Sequence, residues 1–284
     1  MKQLKFLMVA LTLLMGVSFT SCLDSDGGDS HRYGGGLVKV QGYMGIYSFK
    51  GENGVTITPT LASIAALEAR GVKMSDMVGK VAHIAYRWDP ELLTIPEDTK
   101  DFKDVELYSI ELLDNTVEVV ESKGAHNDSI SISNNAPIIS LRTEISGGSG
   151  QYAPQFFLDD YTLLLPINYY ISDRRHFLTL VYYPNEDNGS TLRLHLGHNM
   201  DGDKTSMNST SYLLTANSGG YYGVGLFYKA YDIREVIERY KRETSSSENP
   251  IVIEIVAHEN AYSTKLDDTQ TEEKIYTVTK KTEE

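Results

Sequence analysis

The sequence predicts an all-β protein: an OB-like N-terminal barrel carrying one short helix, followed by a C-terminal β-sandwich that also carries one short helix. Three observations lead there. Short apolar-polar alternations recur along the chain between Gly, Asn and Asp turns. Tyrosine is heavily used, 19 against one Trp and eight Phe, and its ring suits a half-buried pleated surface. Only two stretches show the helical period.

The first strand is expected over Leu37 to Tyr47, with Gly42 and Gly45 as bend points. A turn ending in Asn53-Gly54 then returns through Val55 to Thr58. Pro59 suits a first helical position, Leu61, Ile64, Ala65 and Leu67 form one apolar stripe, and Gly71 ends the helix. Val78 to Trp88 is the longest strand of this half. Val105 to Leu113 and Thr116 to Glu121 read as a hairpin about Asp114-Asn115. About five strands with one intercalated helix fit a small Greek-key barrel.

The polar stretch Ser122 to Pro137 reads as a junction, giving a barrel over 37–136 and a sandwich over 137–284. Strands are expected at Ile138–Ile145, Phe156–Leu158, Leu163–Ile171, Phe177–Tyr183, Leu192–Leu196, Ser211–Leu214, Tyr221–Tyr228, Ile251–His258 and Lys274–Thr279. Such short strands between turn signals describe a sandwich. A helix interrupts them: Asp232 with Glu235 three residues on reads as a capping box, and Ile233, Val236, Ile237 and Tyr240 form its stripe.

Residues 1–21 read as a secretory leader: Lys2 and Lys5, an apolar run from Phe6 to Val17, and small residues up to Ser21. The run is shorter than the ~20 residues needed to span a bilayer. Cys22, the only cysteine, stands where a bacterial lipoprotein accepts its diacylglycerol, so it is the expected lipid attachment residue. Several acyl chains on one residue anchor stably where one would not. Residues 22–36, rich in Asp and Gly, read as a flexible tether. The protein is thus expected to be exported and held to the cell envelope, at the outer membrane, through its N-terminal lipid.

The formal charge is −13, and loss of Lys2 and Lys5 with the leader makes the remainder more acidic still. No basic stripe interleaved with aromatics occurs, so nucleic acid is not an expected partner. With Cys22 used for lipid, no disulfide can form within the chain.

The best metal-like cluster is His195-Leu196-Gly197-His198 with Asn199, Asp201 and Asp203. Side chains three apart on a strand point to opposite faces, so the two histidines converge only if Gly197 breaks the strand. A calcium loop there would need Gly in place of Lys204 and Glu in place of Thr210. No metal and no cofactor is expected. Gly148-Ser149-Gly150 lacks the strand-to-helix context of a nucleophile elbow, and Asp159-Asp160 and Glu186-Asp187 read as solvated loop acids. His83 reads as a satisfied barrel histidine. Asn127-Asp128-Ser129 is a sugar acceptor only in a host with that machinery. No catalytic residue is assigned, and the chain is not expected to be an enzyme.

Cys22-Leu23-Asp24, Pro166-Ile167-Asn168-Tyr169-Tyr170, His176 through Tyr183 and Tyr231-Asp232-Ile233, set in this layout, resemble the NigD-like lipoproteins. The resemblance implies an OB-like domain, a sandwich and an envelope location in Bacteroidota; the family is named from a bacteriocin-linked operon. The leading functional expectation is a non-catalytic binding or interaction module with a protein or glycan partner. A structural or assembly lipoprotein and a hydrolase built from dispersed residues stay open. Tyr43, Tyr47, Tyr86 and Trp88 are the aromatics that could line a barrel binding face, although Ile84, Tyr86 and Trp88 read equally as core.

Overall fold

The structure, a computed structural model, describes residues 30–96, 98–119, 134–141, 143–144, 151–172, 176–184, 191–200, 221–245 and 252–279. The expected leader, Cys22, the turns expected at 147–150, 185–190 and 217–220, the strand expected at Ser211–Leu214, and Asp201 and Asp203 lie outside the described residues. The chain divides into two compact units, 1–114 and 115–284.

In the first unit, β1 (Arg32–Tyr43), β2 (Ile46–Lys50), β3 (Thr56–Pro59), β4 (Val81–Trp88) and β5 (Asp101–Leu112) close a barrel in the order β1-β2-β3-β5-β4. The helix α1 (Leu61–Glu68) lies between β3 and β4. That order and helix position are those of the OB-type Greek-key barrel. Inward positions alternate along each strand: Val38 and Val40 on β1, Phe49 on β2, Ile84, Tyr86 and Trp88 on β4, Val105 and Leu107 on β5. Each such side chain contributes about 1.5–3 kcal/mol by burial.

Several expectations shift here. The tether ends earlier than predicted, because Arg32 to Gly36 already belong to β1 and pair with Trp88 to Ile84 of β4. Gly34 lies opposite Tyr86, and a Cβ there would meet the Tyr86 ring at 2.5 Å; the glycine leaves room for a buried aromatic. The first turn is at Met44-Gly45, inside the predicted first strand, and Asn53-Gly54 forms a separate 3-10 turn. Pro59 ends β3, and Thr60 caps α1 by accepting from the Ser63 amide at 3.2 Å. Leu61 is 70% exposed, so the buried face of α1 is Ser63, Ile64 and Leu67.

The second unit contains β6 (Asp114–Val119), β7 (Thr143–Glu144), β8 (Gln151–Tyr152), β9 (Gln155–Phe156), β10 (Thr162–Ser172), β11 (Phe177–Tyr182), β12 (Thr191–Asn199), β13 (Tyr221–Asp232), α2 (Arg234–Thr244), β14 (Val252–Glu259) and β15 (Glu272–Thr279). Eight strands form one sheet, β15-β14-β12-β11-β6-β13-β10-β9, and β7 pairs with β8. One core takes Leu163, Leu165 and Ile167 from β10 together with Leu192, Leu194, Ile253 and Ile255 from β12 and β14. The two halves of the sheet therefore face each other across a shared interior, as in a sandwich. Ile233, Val236, Ile237 and Tyr240 of the α2 region are all buried against it, as their spacing predicts.

β6 corrects the predicted hairpin. It pairs in parallel with β11, Val117 beside Leu180, rather than folding back on β5. β5 itself pairs with β3 over Asp101 to Val105 and with β4 over Glu106 to Leu112. The units consequently divide at Asp114, ahead of the expected junction at 136. The capping box is also displaced. Ile233 takes the N-cap position, and Asp232 instead accepts from the Arg234 amide at 3.0 Å.

Candidate functional site

Polar chemistry gathers in the second unit. β12 runs unbroken through Gly197, so His195 and His198 point to opposite faces. His195 meets the Tyr183 ring edge-on at 5.1 Å. His198 continues the inward row Leu192, Leu194, Leu196 and is 3% exposed. Asn199 is buried, its Oδ1 accepting from Asn135 at 3.4 Å. His195 and His198 therefore do not converge. Among the described residues no group of three or more His, Cys, Asp or Glu is placed to hold a metal ion.

The partner of His198 is His176, which the sequence analysis named only within the segment that carries the family resemblance. Phe177 of β11 pairs with Asn199 of β12, which sets His176 beside the end of β12. His176 Nδ1 lies 2.8 Å from His198 Nε2, and His198 Nδ1 lies 3.0 Å from the Pro137 carbonyl. Tyr169 packs on both rings, at 4.9 and 5.3 Å. A carbonyl only accepts, so His198 carries its proton on Nδ1, and its Nε2 accepts from His176. Burial holds both imidazoles far below their ordinary pKa, to about 3 for His176, aided by His198, and to about 4 for His198. Only the register of two strands reveals this pair.

The same end of the sheet holds residues 134–141 as a strap. The His198 amide donates to Asn134 Oδ1 at 3.1 Å, and the His198 carbonyl accepts from the amides of Asn135 and Ala136. Ile138 bridges to Glu259 of β14, and Ser140 bridges to Asn168 of β10. The Leu141 amide donates to Glu259 Oε1 at 3.0 Å, and the Tyr276 hydroxyl donates to the same oxygen. Burial, with Glu259 adding to it, pushes the Tyr276 phenol well above its usual pKa. Glu259 Oε2 takes no part in either bond. Glu259, Lys274, Ile275, Tyr276 and Thr277 line an open cleft of about 430 Å³ along β15.

His83 is half-buried on β4, and Asp159 Oδ1 accepts from the Tyr161 amide at 3.0 Å in a turn. Tyr86 and Trp88 belong to the barrel core, 3% and 6% exposed, with rings stacked 6.1 Å apart. Of the four proposed binding aromatics, only Tyr43 is openly exposed and Tyr47 is half-buried. Gly148 to Gly150, Glu186, Asp187 and Asn127 to Ser129 lie outside the described residues.

No family model matches the chain, and no curated protein matches it. A solved structure, the "Putative lipoprotein" of Bacteroides fragilis, superposes with a TM-score of 0.61 at 24% identity, covering 89% of this chain and 100% of its own. The two proteins share a fold. A "Putative TOXIN related protein" of Parabacteroides distasonis aligns over 86% of this chain and 93% of its own at 15% identity, with a TM-score of 0.43. A protein of unknown function from Bacteroides vulgatus aligns over 88% and 92% at 13% identity, with a TM-score of 0.46.

Proposed function

We propose that this chain is an exported, lipid-anchored envelope protein of the NigD-like type that binds a ligand rather than transforming one. The leader and Cys22 support the anchor, as does the lipoprotein name of the Bacteroides fragilis structure that shares the fold. The cleft along β15 carries the binding reading. Its lining includes the Glu259 carboxylate, which holds the Tyr276 hydroxyl, and the Lys274 ammonium, which pairs with Glu272, on one face of β15, with Ile275 and Thr277 on the other. A carboxylate, an ammonium and a phenol on one face of an edge strand suit a neutral saccharide, whose hydroxyls both give and take hydrogen bonds.

Two experiments test the two halves of this reading. Metabolic labelling with an alkyne fatty acid is expected to mark the chain and to fail on Cys22→Ala; an unlabelled parent protein defeats the anchor. Calorimetric titration with neutral hexasaccharides of the cello-, xylo-, manno- and malto- series is expected to show binding to at least one, weakened in Glu259→Gln. Binding to none removes the saccharide. Shortened oligosaccharides after incubation would make the protein a hydrolase instead.

A further inference from the structure

The β1–β2 hairpin ends in Tyr43-Met44-Gly45-Ile46, and its apolar side chains are 78%, 85% and 63% exposed. Its outer face is graded. Tyr43 faces Ile46 at the tip, Gln41 faces Ser48 one step back, and Lys39 faces Lys50 one step further. Val78 adds to the apolar tip. An extra Cβ at Gly42 would come within 2.8 Å of Val78 and 2.9 Å of Tyr47, so both side chains close over that glycine. Soluble surfaces usually scatter such residues singly.

Turn chemistry does not account for the methionine. Met44 has φ +50° and Gly45 φ +82°, the left-handed pair of a two-residue hairpin turn. That geometry favours Asn or Gly at the first place and strains a residue with a long side chain. Met44 stands there against the local preference.

We propose that this hairpin tip is a membrane-contact finger. Tyr43, Met44 and Ile46 enter the interface of a bilayer containing anionic phospholipid, with Lys39 and Lys50 at headgroup level. Tyrosine suits that depth, and lysine stems lie along apolar surface while their ammonium groups stay wet. The local charge fits although the chain as a whole is acidic: Lys39 and Lys50 face each other behind the tip and Lys80 adjoins β1 at Val40, against Glu52 and Asp76 in nearby turns.

The length of chain before β1 fits as well, and this step rests on the anchor at Cys22. From Arg32 to Tyr43, β1 runs about 36 Å at ~3.3 Å per residue. Strands in a closed barrel lean by roughly 35–45°, so its far end stands about 28 Å above the tip. The ten residues from Cys22 to Arg32 reach at most about 33–36 Å. An acyl group on Cys22 and the hairpin tip can therefore share one bilayer surface.

The test uses the chain from Leu23 onward, which carries no acyl group and keeps every described residue, so that sedimentation with vesicles reports the hairpin alone. It is expected to sediment with phosphatidylethanolamine–phosphatidylglycerol vesicles and much less with phosphatidylcholine. Tyr43→Ser/Met44→Ser/Ile46→Ser and Lys39→Glu/Lys50→Glu should each weaken this at least about fivefold. Met44→Asn separates contact from folding: the turn should hold or gain thermal stability while vesicle binding falls. Failure of the parent to sediment, or a triple variant that sediments equally well, overturns the finger. A failed anchor shows only in the fatty-acid labelling and leaves this measurement unmoved.

Discussion

His176 donates its Nδ1 proton to Nε2 of His198 across 2.8 Å, and His198 gives its own Nδ1 proton to the Pro137 carbonyl. Two neutral imidazoles thereby link the start of β11, the end of β12 and the strap that crosses them. In the unfolded chain each ring returns to its ordinary pKa of 6.5, whereas the folded values are about 3 and 4. The unfolded state thus binds more protons between those limits. The pair's contribution to stability is complete above about pH 6.5 and is lost as pH falls toward 3. Every tenfold difference in proton affinity between the folded and unfolded chain corresponds to about 1.4 kcal/mol. Urea midpoints should fall between pH 7 and pH 4.5, and the fall should shrink in His176→Asn. An identical slope in the variant would assign the acid sensitivity elsewhere.

Gly34→Ala should destabilise the first unit by about 1–3 kcal/mol, the usual cost of forcing a packed core to move. The added methyl would lie 2.5 Å from the buried Tyr86 ring, which also stacks on Trp88. Tryptophan fluorescence reads this directly, because Trp88 is the only tryptophan. An unchanged emission maximum and melting curve would show that the ring yields freely.

Tyr231→Phe should cost about 1–2 kcal/mol. The Tyr231 hydroxyl is fully buried and donates to the Leu178 carbonyl at 2.6 Å. Removing it leaves that carbonyl without this donor in the core. Thermal melting checks the value, and a neutral result would mean that water or another donor takes the place.

The protein should show no measurable affinity for DNA or RNA oligomers at physiological salt. Barrels of this type bind single strands through basic grooves and exposed aromatic platforms. Here Tyr86 and Trp88 are inside the barrel, and the chain carries −13. Micromolar binding in a fluorescence-anisotropy titration would refute this.

The glycines show why parts of the barrel were hard to read. Gly34 to Gly36 look like tether when only composition is weighed, since glycine gives no hint of a strand. Their role is set by Tyr86 on β4, about fifty residues away in sequence. The same holds for His176. Nothing in its neighbours distinguishes it from a surface histidine until the β11–β12 register places it against His198.

The sequence by itself determined the fold class, most of the strands and the buried stripe Ile233, Val236, Ile237 and Tyr240, because periodicity within a segment reports which side of it avoids water. The expected leader and the expected lipid site at Cys22 are likewise readings of local sequence alone. Only the tertiary structure decided where Asp114 to Val119 pairs, which histidines meet, and which aromatics are interior. Those outcomes depend on which strand edges meet and on register between distant segments: β6 pairs with the distant β11 rather than with its sequence neighbour β5.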